Sequence, residues 1–173
     1  MKVKSNKLTV YGTGTGTITL SSTKRGKITY TPKDAKVAKA ALKGNNGVIT
    51  GLKPGTTIIT VKDDGGTNYK ASTANVTGTV KRPGNPSGLA VKNNKTGTLN
   101  ISWKKDGNAT GHYVEVKSGK KVVKKLTLKK LKTTVPKLKA GSKYTVNVWS
   151  YAGSKYSTNA RSAKAASKTV TVK

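Results

Sequence analysis

The chain has no cysteine, no phenylalanine, one histidine and one methionine. Without cysteine there is no disulfide framework, no thiol nucleophile and no cysteine-based zinc site. Acids are nearly as scarce. Asp34, Asp63, Asp64, Asp106 and Glu115 are the whole supply, so general acid/base chemistry or a glycosidase-type carboxylate pair has little to draw on. No uninterrupted apolar run reaches the length of a membrane-spanning helix. Nor does an apolar stretch follow Met1 that would serve as an export signal. That start predicts either a protein made and used without secretion or a mature or excised piece.

What is abundant is positive charge. Of 173 residues, 35 are lysine or arginine, for a net charge of +30. Only Arg25, Arg82 and Arg161 are arginine, against 32 lysines. Valine, isoleucine and leucine together number 33, few enough that composition alone leans towards disorder. Pattern argues otherwise. The apolar residues fall in short alternating runs broken by glycine, asparagine and proline. Threonine, which favours strands, is the commonest residue after lysine at 26. The expectation is an all-β protein with a thin core.

Lys81-Arg82-Pro83-Gly84-Asn85-Pro86 cannot pair as a central strand and reads as a linker over residues 81–86. It separates residues 1–80, net charge +10, from residues 87–173 and their share of the remaining +20. Each part is large enough for a small β-sandwich. In the first, Lys7–Tyr11, Thr17–Leu20, Lys27–Thr31, Gly47–Thr50, Thr56–Lys62 and Asn75–Val80 read as strands. Asn45-Asn46-Gly47, Lys53-Pro54-Gly55 and Asp63-Asp64-Gly65-Gly66 read as turns. In the second, Thr98–Lys104 alternates through Leu99, Ile101 and Trp103, Lys143–Tyr151 through Tyr144, Val146 and Val148, and a third run through His112, Val114 and Val116. Period two in short segments indicates two tandem Ig-like β-sandwich domains.

Residues 28–61 resemble a bacterial immunoglobulin-like domain of group 2. The carriers are Thr29-Tyr30, Val37-Ala38, and the run from Gly47 through Thr50-Gly51-Leu52 and Gly55-Thr56 to Ile59-Thr60-Val61. Residues 86–173 resemble a fibronectin type III domain, through Pro86-Ser87-Gly88-Leu89, Ile101-Ser102-Trp103 and Leu138 to Val148. That resemblance implies a core anchor at Trp103 and a hydrogen bond from the Tyr144 position to the backbone at a corner. A large aromatic usually begins the family's third strand, and here His112 holds that register. Neither family is enzymatic as a rule. Both resemblances imply spacers, adhesion modules or decorations on cell surfaces and phage virions.

Few residues point to chemistry. Asp63 and Asp64 are turn residues, and with Asn68 they lack the spaced oxygen ligands of a calcium loop. His112 lies in an alternating strand and reads as a core histidine. Gly12-Thr13-Gly14-Thr15-Gly16 has no Gly-Lys-Ser/Thr, so it is a strand or edge rather than a phosphate loop. The Asn-x-Ser/Thr sequons at Asn75, Asn94, Asn100 and Asn108 are expected by chance in such a composition. No catalytic residue, cofactor or metal is assigned. Lys117–Lys132 suits a basic amphipathic helix by charge. The β-alternation of Leu126 and Leu128 favours an edge strand, whose lysines block sheet-to-sheet pairing.

The charge itself needs an account: self-repulsion at +30 opposes compaction, and an excess this large over two domains points to an anionic partner. Lysine's dominance argues against sequence-specific nucleic-acid reading, which prefers arginine's planar fork. Acidic protein surfaces, such as a capsid or tail shell, and anionic cell-surface polymers or glycans suit diffuse point charges. Candidate contacts are Lys120, Lys121, Lys124, Lys125, Lys129 and Lys130. With Val146 and Val148 inward, Trp149 and Tyr151 should point out, beside Tyr113 on the neighbouring strand, as an exposed aromatic group. The function expected is a non-enzymatic accessory protein decorating a phage virion, present in many copies. The alternative is a fragment of a secreted bacterial surface protein, acting as spacer or glycan-binding module.

Overall fold

A computed structural model describes residues 1–21 and 26–173. Among them are strands, turns and irregular segments, with no helix that could cross a membrane. The chain divides into two compact units, Met1–Lys81 and Arg82–Lys173.

The first unit has seven described strands: β1 (Lys7–Tyr11), β2 (Thr15–Ile18), β3 (Ile28–Pro32), β4 (Ala38–Lys43), β5 (Asn46–Gly51), β6 (Gly55–Asp63) and β7 (Ser72–Lys81). They form two sheets, in the orders β1-β7-β6-β3 and β2-β5-β4. β1 runs parallel to β7, and the other pairs are antiparallel. Val10, Ile28, Tyr30, Ile49, Ile59, Val61, Val76 and Val80 meet between the sheets. Alternation dictates this, since successive strand residues face opposite sides. Gly47 has a packing role here. A Cβ at that position would sit 2.3 Å from the Tyr30 ring, and the Tyr30 hydroxyl donates to the Asn45 carbonyl at 3.0 Å. The ring therefore lies flat against bare backbone.

The second unit also has seven described strands: β8 (Ser87–Lys95), β9 (Thr98–Lys104), β10 (Gly111–Ser118), β11 (Lys121–Leu128), β12 (Lys132–Val135), β13 (Lys143–Tyr151) and β14 (Ala166–Thr171). The sheets are β11-β10-β13-β14 and β12-β9-β8. Leu99, Ile101, Trp103, Val114, Val116, Val135, Tyr144, Val146 and Val148 fill the space between. The Lys139 amide donates to the Tyr144 hydroxyl oxygen at 3.0 Å, which is the corner bond the family resemblance implies.

Four strands have no counterpart in the sequence reading. β4, β8, β12 and β14 were not expected, and each lies at the end of its sheet. β2 begins two residues earlier than expected, because Gly12, in the left-handed region, and a Gly14-to-Tyr11 backbone bond turn the chain at once. Residues 82–86 carry no strand. They are nevertheless tied to the second unit: Arg82 donates to the carbonyls of Thr158 and Arg161, and Asn85 accepts from the Lys164 amide.

Candidate functional site

The five acids are occupied structurally. Asp34 accepts from the Lys36 amide, Asp63 from Gly65, Asp64 from Lys27 and Asp106 from Asn108. The Asp34, Asp63 and Asp106 bonds are local and set turns, whereas the Asp64 bond joins residues distant in sequence. Glu115 pairs with Lys117 at 3.0 Å. Among the described residues no three His, Cys, Asp or Glu side chains come together to hold a metal. His112 is buried on the inner face of β10, with its ring edge-on to Trp103 at 5.4 Å.

Two outer features of the second unit remain. The first is aromatic. β10 and β13 pair in the register Tyr113↔Trp149 and Gly111↔Tyr151, which puts the three predicted aromatics on one outer sheet face. The Tyr113 and Trp149 rings lie 5.9 Å apart. Two residues that sequence reasoning missed complete the group. Tyr156 stacks on Tyr113 at 3.9 Å and meets Tyr151 edge-on at 6.1 Å. Arg161 donates to the Tyr156 hydroxyl at 2.9 Å and lies 4.7 Å above the Trp149 ring. No periodicity marks this loop. The only sequence signal was the rarity of arginine.

The expectation of three exposed rings is corrected here. Tyr151 is buried, and Tyr113 and Trp149 are half-buried. The reason is the segment 153–162, which folds back over the face. The Ala152 amide bonds the Ala160 carbonyl, Ser162 bonds Ser150, and the Thr110 hydroxyl donates to Gly153. Tyr151 fits because Gly111 lies opposite: a Cβ there would stand 2.4 Å from the phenol oxygen. Burial, then the Glu115 carboxylate, push the Tyr113 phenol upward in pKa. Tyr156→Ala should free the segment, redden Trp149 emission and cost about 1–2 kcal/mol, the scale of a ring stack plus a hydrogen bond. Unchanged emission and stability would show that the stack holds nothing in place.

The second feature is cationic. Lys120, Lys121, Lys124, Lys125, Lys129 and Lys130 are all exposed. β11 is an edge strand, paired on one side by β10, as the alternation of Leu126 and Leu128 predicts. Its register slips between Val116 and Lys117, so Val122 and Lys124 face consecutive β10 residues and Val123 bulges out. The lysines do not form one plane. Lys125 shares the outer face with Glu115, whereas Lys124 is opposite the core residue Val116. Lys120 lies in the preceding turn, and Lys129 and Lys130 follow the far end.

No curated protein matches this sequence. Among solved structures, the two-domain fibronectin type III segment of chicken tenascin aligns over 99% of this chain and 97% of its own, with 17% identity and a TM-score of 0.51. Domains d3–d4 of the rat CD45 extracellular region align over 58% of this chain at 21% identity and a TM-score of 0.50, and the chain spans 56% of that structure. At these identities the likeness is one of fold, and the fold is all-β, in tandem sandwiches. Residues 84–165 match the family model described as the fibronectin type III domain.

Proposed function

We propose that this is a non-enzymatic accessory protein that holds an acidic surface through a lysine coat, and that its setting is the outside of a phage virion, on capsid or tail, in many copies. One observation carries the reading. Five carboxylates face 35 cations, and those carboxylates are spent on backbone amides and one lysine, while the lysines of 120–130 are exposed. Charge of one sign left uncompensated over both units favours association with a surface of the other sign. The group 2 immunoglobulin resemblance of the first unit supports a spacer or decoration role. Lys120, Lys121, Lys124, Lys125, Lys129 and Lys130 would make the electrostatic contacts. Tyr113 and Trp149, which keep part of their surface, would add area beside them, while Tyr151 supports the face from beneath.

The test is to look for the protein on purified particles by mass spectrometry and electron microscopy. It should be present in many copies and should be released by washing in about 1 M salt, where screening shortens to roughly 3 Å. Absence from particles, with recovery in a bacterial surface fraction, would overturn the virion setting. Retention through the wash would remove charge as the main source of attachment.

A further inference from the structure

The outer face of the β12-β9-β8 sheet holds a recess of about 530 Å³. Its strands pair in the registers Lys132↔Ser102↔Ala90 and Thr134↔Asn100↔Lys92. Because Leu99, Ile101 and Val135 point into the core, the intervening side chains face out. The floor is therefore Ser102, Asn100 and Thr134. The Thr134 hydroxyl donates to the Asn100 Oδ1 at 3.0 Å, which fixes the amide and leaves its N–H groups to donate elsewhere.

Cations stand at the two ends of this polar floor. Lys130 and Lys132 are at the β12 end and Lys92 is on β8. Two strand spacings and two residues of rise separate the Lys132 and Lys92 backbones by about 12 Å. A single small anion cannot occupy both poles. The spacing calls for a ligand whose negative groups alternate with a neutral, hydrogen-bonding stretch. Among the described residues the lining contains no acid, no arginine and no aromatic ring. Each lysine ammonium can meet a phosphate as a point charge, with no fork geometry required. Without an aromatic platform the recess has no means of stacking bases.

We propose that this recess binds a phosphodiester-linked polyol, a polymer of the bacterial-wall type, with Lys92, Lys130 and Lys132 on its phosphates and Asn100, Ser102 and Thr134 on its hydroxyls. The inference rests on the reading that the lysine coat engages anions, and adds the place and the chemical class. It shares Lys130 with the particle-attachment set, whereas four of the six lysines invoked there lie on β11 or in the turn before it.

The experiment uses the full chain and a short, fluorescently labelled glycerol-phosphate oligomer, read by anisotropy in about 0.15 M salt. The oligomer should bind, and a uronic-acid oligosaccharide of equal charge should bind about tenfold more weakly. Replacing Lys92, Lys130 and Lys132 together by glutamine should weaken binding by about tenfold or more. The equal-charge control, Lys121→Gln, Lys124→Gln, Lys125→Gln, should change it by less than about threefold. Asn100→Leu, which leaves charge untouched, should weaken it by about fivefold. Equal losses in the two triple variants would overturn the recess as the site, and equal binding of the uronate would overturn the phosphodiester as its ligand, each leaving the anion-holding reading in place. Failure of the unaltered chain to bind the oligomer would also overturn it. The particle experiment decides the virion reading separately.

Discussion

Replacing His112 by phenylalanine should stabilise the second unit and remove its sensitivity to mild acid. The imidazole is enclosed between the sheets, across from Ser150 on β13 and Leu128 on β11 and against Trp103. Among the described residues neither ring nitrogen has a hydrogen-bond partner. A buried polar group left in this state costs about 1–3 kcal/mol, which an apolar ring of similar shape does not incur. Burial, and then the nearby Lys105 ammonium, lower the histidine's pKa from 6.5.

The direction of the linkage follows. The folded pKa is below the unfolded one, so the unfolded chain takes up the proton first. Stability is complete above about pH 6.5 and falls as the pH drops through that value towards the folded pKa, by up to about 1.4 kcal/mol per pH unit. This is the chain's one histidine, so the effect is assignable. His112→Phe should gain about 2 kcal/mol near neutrality, or roughly 10 °C in Tm for a unit of this size, and more near pH 5. Melts followed by tryptophan fluorescence at both pH values give the answer. A variant that keeps the wild-type acid dependence would show that His112 is not its source.

Trp103→Ala should have the opposite and larger effect. The indole lies on the inner face of β9, buried in the second unit's core. Truncating a buried tryptophan removes about 3–5 kcal/mol. A domain of about 90 residues has only about 5–14 kcal/mol in total. The transition reported by Trp149 should therefore fall by some 15–30 °C, by the same size scaling. Both tryptophans are in the second unit, so the remaining emission reads that unit alone. A shift of only a few degrees would mean that the core is anchored elsewhere, on Leu99, Ile101 and the β13 valines.

Strands inside a sheet were all legible in the sequence; at the sheet ends β1, β2, β3 and β11 were legible and β4, β8, β12 and β14 were not. β5, β6, β7, β9, β10 and β13 all lie inside their sheets, and every one was expected. Such a strand must carry side chains for a core, and that leaves an apolar period of two. β4, with the sequence AKAALK, and β14, with ASKTVT, are bound along one edge and mostly exposed. Backbone hydrogen bonds to a neighbour hold them, and these leave no mark in composition. The surface divides the same way. Alternation placed Tyr113, Trp149 and Tyr151 on one face, because strand geometry alone decides it. Whether a loop covers that face depends on Tyr156 and Arg161, which sit in an aperiodic segment and act through contacts distant in sequence. The β12-β9-β8 recess was equally hidden. It is assembled from three strands, of which β8 and β12 were unseen.

The bulge at Val123 has a consequence for life at close quarters. If many copies stand side by side, each offers its neighbours a free row of amides and carbonyls along β11. A kinked row bristling with ammonium groups is a poor template for zippering one molecule to the next. Crowded copies would stay discrete, and each would keep its faces for the foreign surface it meets.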